Sequence, residues 1–144
     1  MTVASAESCT GGLIGGAITE VSGASAVFMG GFVTYDNRLK RDVLGVDAEL
    51  LERHGAVSAE VARAMAEGAL ARAGVSLSVA VTGIAGPGGG SAGKPVGLVH
   101  LAVARQTGET VDESHVFTGS RADVRAQTVE SALKLLLQSL PPRA

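Results

Sequence analysis

The segment Leu77–Thr82 is a continuous apolar run, the pattern of a strand buried on both faces. Such a strand needs helices above and below it, which confines the chain to a layered α/β fold. At 144 residues the chain fits one domain with a real core. Aromatics supply only 3% of the residues while 46% are hydrophobic, so that core must be close-packed Ala, Val and Leu. The 20 glycines, against an ordinary usage of about 7%, add tight backbone approaches and Gly-rich turns between strands and helices.

Along the chain, Thr2–Ala6 predicts a first strand that runs into Glu7-Ser8-Cys9-Thr10-Gly11-Gly12, and Leu13–Val21 predicts a helix from its apolar spacing. A strand, a Gly-bearing turn and a helix in that order direct free backbone N–H groups at whatever lies above the turn. Ser22–Ser25 breaks the helix, Gly31–Tyr35 is β-rich, and Asp36–Val43 is polar and helical. Asp47 caps a short helix that ends at His54 and Gly55. Ser58 caps a longer one whose stripe is Val61, Ala62, Met65, Ala66, Ala69 and Leu70, closed by Gly74. After Leu77–Thr82 comes a long loop, Gly83–Lys94, and then a hairpin, Pro95–Ala104 and Thr110–Phe117, around Thr107-Gly108. Ser120 with Asp123 reads as a capping box opening a last helix that Pro141-Pro142 ends. The order predicts a three-layer α/β/α sandwich with a mixed β-sheet, as a single domain over residues 1–144.

Composition narrows the function. A formal net charge of −2 offers no basic footprint for nucleic acid or for an acidic membrane surface. No apolar run approaches the roughly 20 residues that span a bilayer. The first residues lack a signal peptide's pattern, so the expected location is cytoplasmic. The single cysteine, Cys9, allows no internal disulfide, and His54, His100 and His115 have no metal-ligand spacing. The spacing Gly88-x4-Gly93-Lys94 imitates a phosphate-binding P-loop, but Pro95 stands where Ser or Thr is needed and a strand follows where a helix should. The glycine run after Thr82 still brings bare backbone toward a ligand, and a long loop inside a compact domain is usually functional or disordered.

Three nucleophiles compete on this reading. Cys9 lies near a helix N-terminus, where a thiolate is favoured. Ser8 shares that turn and equally well binds phosphate or caps the helix. Ser25 lies in a separate loop, upstream of Tyr35 and Lys40. A lysine that loses its proton by desolvation can serve a serine as base, although Lys40 also fits a solvated surface position. Arg121 and Arg125 open the last helix, where N–H groups favour an anion and a guanidinium adds a bidentate fork.

Glu7-Ser8-Cys9-Thr10-Gly11-Gly12, the run Gly31–Asn37 with Lys40, His54–Ser58, and Thr82–Pro87 with Lys94–Gly97 closely resemble the CinA C-terminal domain family. That family includes the PncC-type nicotinamide mononucleotide (NMN) deamidases. The likeness runs along essentially the whole chain. It implies deamidation of NMN to nicotinic acid mononucleotide and ammonia, without metal or cofactor. It further implies Ser25 as nucleophile, Lys40 as its base, and Tyr35 as a group that positions or relays the proton. Ser8 and Thr82 would line the pocket with Thr10, Gly11, Gly83 and Gly86, the Gly-rich turns would donate N–H groups to the oxyanion, and Arg121 would meet the phosphate. The implied partners are the NMN substrate and a second copy of the chain, as a homo-oligomer of dimer order or higher, with no nucleic acid and no membrane. The chain opens almost at the Glu-Ser-Cys-Thr-Gly-Gly strand, without the family's usual leading helix, so one sheet face is expected to be bare or covered by a second subunit. A non-catalytic nucleotide-binding or regulatory module is the competing function.

Overall fold

Strands β1 (Val3–Glu7), β2 (Phe28–Val33), β3 (Leu77–Gly83), β4 (Leu98–Arg105) and β5 (Val111–Val116) form one sheet in the order β2-β1-β3-β4-β5. They do so in a computed structural model that describes residues 1–142. β3 is the central strand; β1 beside it runs parallel to both β2 and β3, whereas β4 runs antiparallel to β3 and β5. The helices are α1 (Leu13–Thr19), α2 (Asn37–Leu44), α3 (Ala48–His54), α4 (Ala59–Ala73) and α5 (Arg121–Gln138), with a short 3₁₀ turn at Ala24–Ala26.

Side-chain alternation along the strands sorts the two faces. Val79, Val81, Val99, Leu101 and Val103 pack against Ile14 of α1 and Val124, Ala132, Leu135 and Leu136 of α5. Ala6, Ala80, Ala102 and Ala104 face the other way, onto Val61, Met65 and Ala69 of α4 and Leu44 of α2. Bulky residues on one face and alanines on the other let α4 lie close, and the buried Ser78 hydroxyl donates to the Ala66 carbonyl at 2.5 Å. The expected three-layer sandwich with a mixed sheet is the observed fold.

Several boundaries move. β2 is Phe28–Val33, not Gly31–Tyr35, because it pairs along the whole of β1 from Val3↔Phe28 to Glu7↔Val33. One of its two glycines is dictated by a neighbour, since a Cβ on Gly31 would collide with the Ser5 hydroxyl. α1 stops at Thr19, β4 begins only at Leu98, and α5 ends at Gln138 with Ser139 as its C-cap. The capping box of Ser120 and Asp123 is present as expected. Helices cover both faces of the sheet, α4 and α2 on one and α1 and α5 on the other. What stays open on the α1 and α5 face is an apolar groove of about 480 Å³ at the amino ends of β1 and β3, lined by Val3, Ile18, Val21, Leu133 and Leu137 among others. Among the described residues no helix is long and apolar enough to cross a membrane.

The strand order also locates a site. From β1 the chain goes outward to β2, then returns across to β3 on the opposite side. The carboxyl ends of β1 and β3 therefore flank a topological switch point, where open α/β sheets form their ligand crevices.

Candidate active site

Ser8 is the first residue past β1, at that switch point. Its N–H donates to the Val81 carbonyl at 3.1 Å and carries the β1–β3 pairing one residue further. The turn after it is organised by Glu7, whose carboxylate is 2% exposed. That carboxylate accepts from the Thr10 hydroxyl at 2.5 Å and from the N–H groups of Ile14 (2.9 Å), Gly15 (3.1 Å) and Gly12 (3.2 Å). The Gly11 N–H donates to the Ser8 carbonyl at 3.1 Å. These bonds correct the expectation of a ligand cradle at the start of α1. The chain's own carboxylate already fills the position an anionic ligand would take, and the glycine N–H groups are engaged. The N–H of Cys9, the residue after Ser8, has no hydrogen-bonding partner among the described residues beyond its own thiol.

Lys40 comes to Ser8 from α2. Asp36 caps that helix by accepting from the Arg38 N–H at 2.7 Å, which turns Lys40 inward to 1% exposure. Its Nζ lies 2.8 Å from the Thr34 carbonyl, 2.9 Å from the Tyr35 carbonyl and 3.1 Å from Ser8 Oγ. Burial pulls the lysine below its ordinary pKa of 10.5, against the opposing pull of Asp36 and Cys9. The two carbonyls each take one N–H. In the neutral amine the third position is a lone pair that accepts the Ser8 O–H; in the ammonium it is an N–H that donates to Ser8 Oγ.

Ser25 does not share this arrangement. It sits exposed in the 3₁₀ turn Ala24–Ala26, and the Val27 carbonyl just after it accepts from the Val3 N–H at the amino end of β1. Ser8 is at the other end of that strand. At ~3.3 Å per residue the strand from Val3 to Ser8 spans roughly 16 Å, and the base expected to serve Ser25 is hydrogen-bonded to Ser8 instead.

The remaining residues gather around the mouth of the crevice. Exposed Arg121 donates to the Gly86 carbonyl at 3.0 Å and to the Tyr35 hydroxyl at 3.2 Å, so Tyr35 belongs to the rim. Arg125 donates to the carbonyls of Cys9 (3.1 Å) and Thr10 (3.3 Å) and so braces the turn after β1. Thr82 is buried and its hydroxyl donates to the Ala56 carbonyl at 2.9 Å. Gly83 and Gly86 answer packing needs: a Cβ would stand 2.6 Å from Val99 Cγ2 in the first case and 2.5 Å from Val96 Cγ1 in the second. Gly11, at φ +57°, lies exposed beside Arg125. Cys9 is buried and its thiol is pushed up to about 11, chiefly by desolvation, which removes it from the competition for nucleophile.

Sequence reasoning passed over Glu7 and Thr34. A carboxylate just ahead of a helix start was the available signal for Glu7. Nothing local marked Thr34, whose carbonyl holds Lys40 and whose hydroxyl is buried without a hydrogen-bond partner.

Fold and site together define a mixed-sheet α/β domain with a buried serine–lysine pair at the β1–β3 switch point. The chain belongs to the CinA C-terminal domain family, whose sequence model matches residues 1–140. It is 56% identical over 142 residues to a CinA-like protein of Geotalea daltonii, covering 99% of this chain and 34% of that one. With a CinA-like protein of Mycolicibacterium gilvum the identity is 50% over 139 residues, 96% of this chain and 33% of the relative. The chain thus spans about a third of the length of these curated relatives. Among solved structures, the competence/damage inducible protein CihA of Agrobacterium tumefaciens superposes with a TM-score of 0.94 at 53% identity, over 96% of this chain and 84% of that one. A competence-damaged protein (CinA) superfamily member of Escherichia coli does so at 0.92 and 38%, over 97% and 81%.

Proposed function

We propose that this domain hydrolyses a carboxamide by a serine–lysine mechanism, with Ser8 as nucleophile and Lys40 as base. The family resemblance points to NMN as the substrate. The observation that carries the reading is the buried Lys40 Nζ, 3.1 Å from Ser8 Oγ and anchored by two carbonyls. A lysine so enclosed is stripped of water, which favours the neutral amine that a general base must be.

In the first half-reaction Lys40 takes the Ser8 proton while Oγ bonds to the amide carbon, and the carbonyl electrons move onto oxygen. The Cys9 N–H, following the nucleophile, is the backbone donor best placed for that oxyanion. Collapse breaks the C–N bond, and the Lys40 ammonium returns its proton to the departing nitrogen, which leaves as ammonia. Water then cleaves the acyl-serine ester with Lys40 again as base. Arg121, at the rim beside Tyr35, is the cation available to the substrate's phosphate.

Incubating the purified protein with NMN and measuring ammonia and nicotinic acid mononucleotide tests this reading. Stoichiometric release of both, turning over many times, supports it. Tight binding of NMN with no turnover favours the non-catalytic nucleotide-binding module instead.

A further inference from the structure

Ser8 and Thr34 are neighbours across two strands. Glu7 pairs with Val33, and the Thr34 N–H donates to the Glu7 carbonyl at 2.9 Å, so the next pair outward is Ser8 beside Thr34. Both follow residues of the α4-facing core, Ala6 on one strand and Phe32 on the other, and therefore face the same side. Lys40 Nζ bonds to both, at Ser8 Oγ and at the Thr34 carbonyl.

The Thr34 hydroxyl is the anomaly. The residue is 1% exposed, and its Oγ1 meets no donor or acceptor among the described residues. A buried hydroxyl without a partner costs on the order of 1–3 kcal/mol, and such groups are ordinarily satisfied by protein or by an ordered water. Valine has nearly the same shape and would avoid that cost. The fold gives no reason for threonine here, so the reason lies in the chemistry beside it.

We propose that the Thr34 hydroxyl is a positioning group that holds the hydrolytic water of the second half-reaction between itself and Lys40 Nζ. This rests on the serine–lysine reading above and assigns the step it left without a residue. Once Ser8 is acylated it has no proton to share with Lys40, and the amine lone pair is free. A water donating to that lone pair and hydrogen-bonded to Thr34 Oγ1 lies beside the ester carbon. Its oxygen bonds to that carbon while its proton passes to Lys40 Nζ, and the carbonyl electrons move onto oxygen. When the tetrahedral adduct collapses, the C–Oγ bond breaks and the Lys40 ammonium protonates Ser8 Oγ. The acid departs and the resting pair is restored.

The test is Thr34→Val, with Thr34→Ser as the conservative partner, followed by steady-state kinetics on NMN and intact mass after acid quenching. Slowing only the second half-reaction lowers kcat and KM together and leaves kcat/KM within twofold of wild type. We expect kcat to fall about tenfold or more, an acyl adduct to accumulate on Ser8, and Thr34→Ser to restore both. The thermal midpoint of Thr34→Val should equal or exceed wild type, because no hydrogen bond is lost. An unchanged kcat, or a loss of kcat/KM without adduct, overturns the proposal. The same variants with p-nitrophenyl acetate separate this inference from the substrate reading. There the lifetime of acetyl-Ser8 must lengthen in Thr34→Val whether or not NMN is hydrolysed, and an equal lifetime sinks the inference by itself. A wild-type protein that neither acylates nor releases ammonia rejects both.

Discussion

Lys40 Nζ on α2 and Ser8 Oγ at the end of β1 stand 3.1 Å apart although 32 residues separate them in the chain. The pairing joins a serine at the end of an interior strand to a lysine that the capped helix α2 turns inward. It also ties the rate to pH. Turnover needs neutral Lys40, and that fraction grows as pH rises through the lysine's pKa, which lies below 10.5. kcat/KM on NMN should therefore climb with pH on a limb whose midpoint is below 10.5. Stability moves the same way: between the folded and unfolded pKa values the unfolded chain binds more protons, so raising pH in that window stabilises the fold. A flat profile, or a limb that falls with rising pH, contradicts the assignment.

Glu7 is expected to matter for stability more than its sequence position announces. Its carboxylate accepts from two hydroxyls, those of Ser5 and Thr10, and from three backbone N–H groups. Glu7→Gln leaves one oxygen to serve them and points an NH₂ at donors. We expect a loss of about 2–4 kcal/mol in urea unfolding at pH 7. A change below half a kcal/mol would show that the turn does not depend on the carboxylate.

Cys9 should be inert in the native protein. With its thiol pushed up to about 11 and its side chain buried, little thiolate exists at pH 8 and little of it is reachable. Iodoacetamide is expected to give no adduct on the folded chain over hours and a full single adduct in 6 M guanidinium. Rapid native labelling would return Cys9 to the list of nucleophiles.

Arg121 separates recognition from chemistry. Arg121→Gln removes the exposed guanidinium at the rim but leaves Ser8, Lys40 and Thr34 in place. KM for NMN should rise about tenfold with kcat changed less than threefold, an effect in keeping with one charge-assisted phosphate contact. The unphosphorylated riboside should be hydrolysed equally well by both proteins. An equal loss on the two substrates would assign Arg121 a structural role.

Layering, the mixed sheet and most helix caps were legible in the sequence because each has a local cause. Asp47, Ser58 and Ser120 all cap where short-range chemistry says they should. Strand ends were less legible, because β2 takes its limits from its register on β1 rather than from its own composition. The site was read in part. Lys40, Tyr35, Ser8 and Arg121 do come together, but the choice of Ser25 over Ser8 depended on which end of β1 each occupies. That is a property of topology, invisible in spacing along the chain. The glycine N–H groups at the start of α1 are taken by Glu7 and the Ser8 carbonyl, long-range and turn contacts that spacing along the chain does not show. Thr34 had no signal at all, since a threonine in a β-rich stretch is ordinary.

The central claim is that Ser8, and not Ser25, is acylated. The most direct measurement compares ammonia release from NMN by wild type, Ser8→Ala and Ser25→Ala at matched folded concentrations. Ser8→Ala should lose more than about a thousandfold in kcat, while Ser25→Ala, about a strand's length away, should stay within twofold of wild type. Full activity in Ser8→Ala, or its loss in Ser25→Ala, would contradict the account.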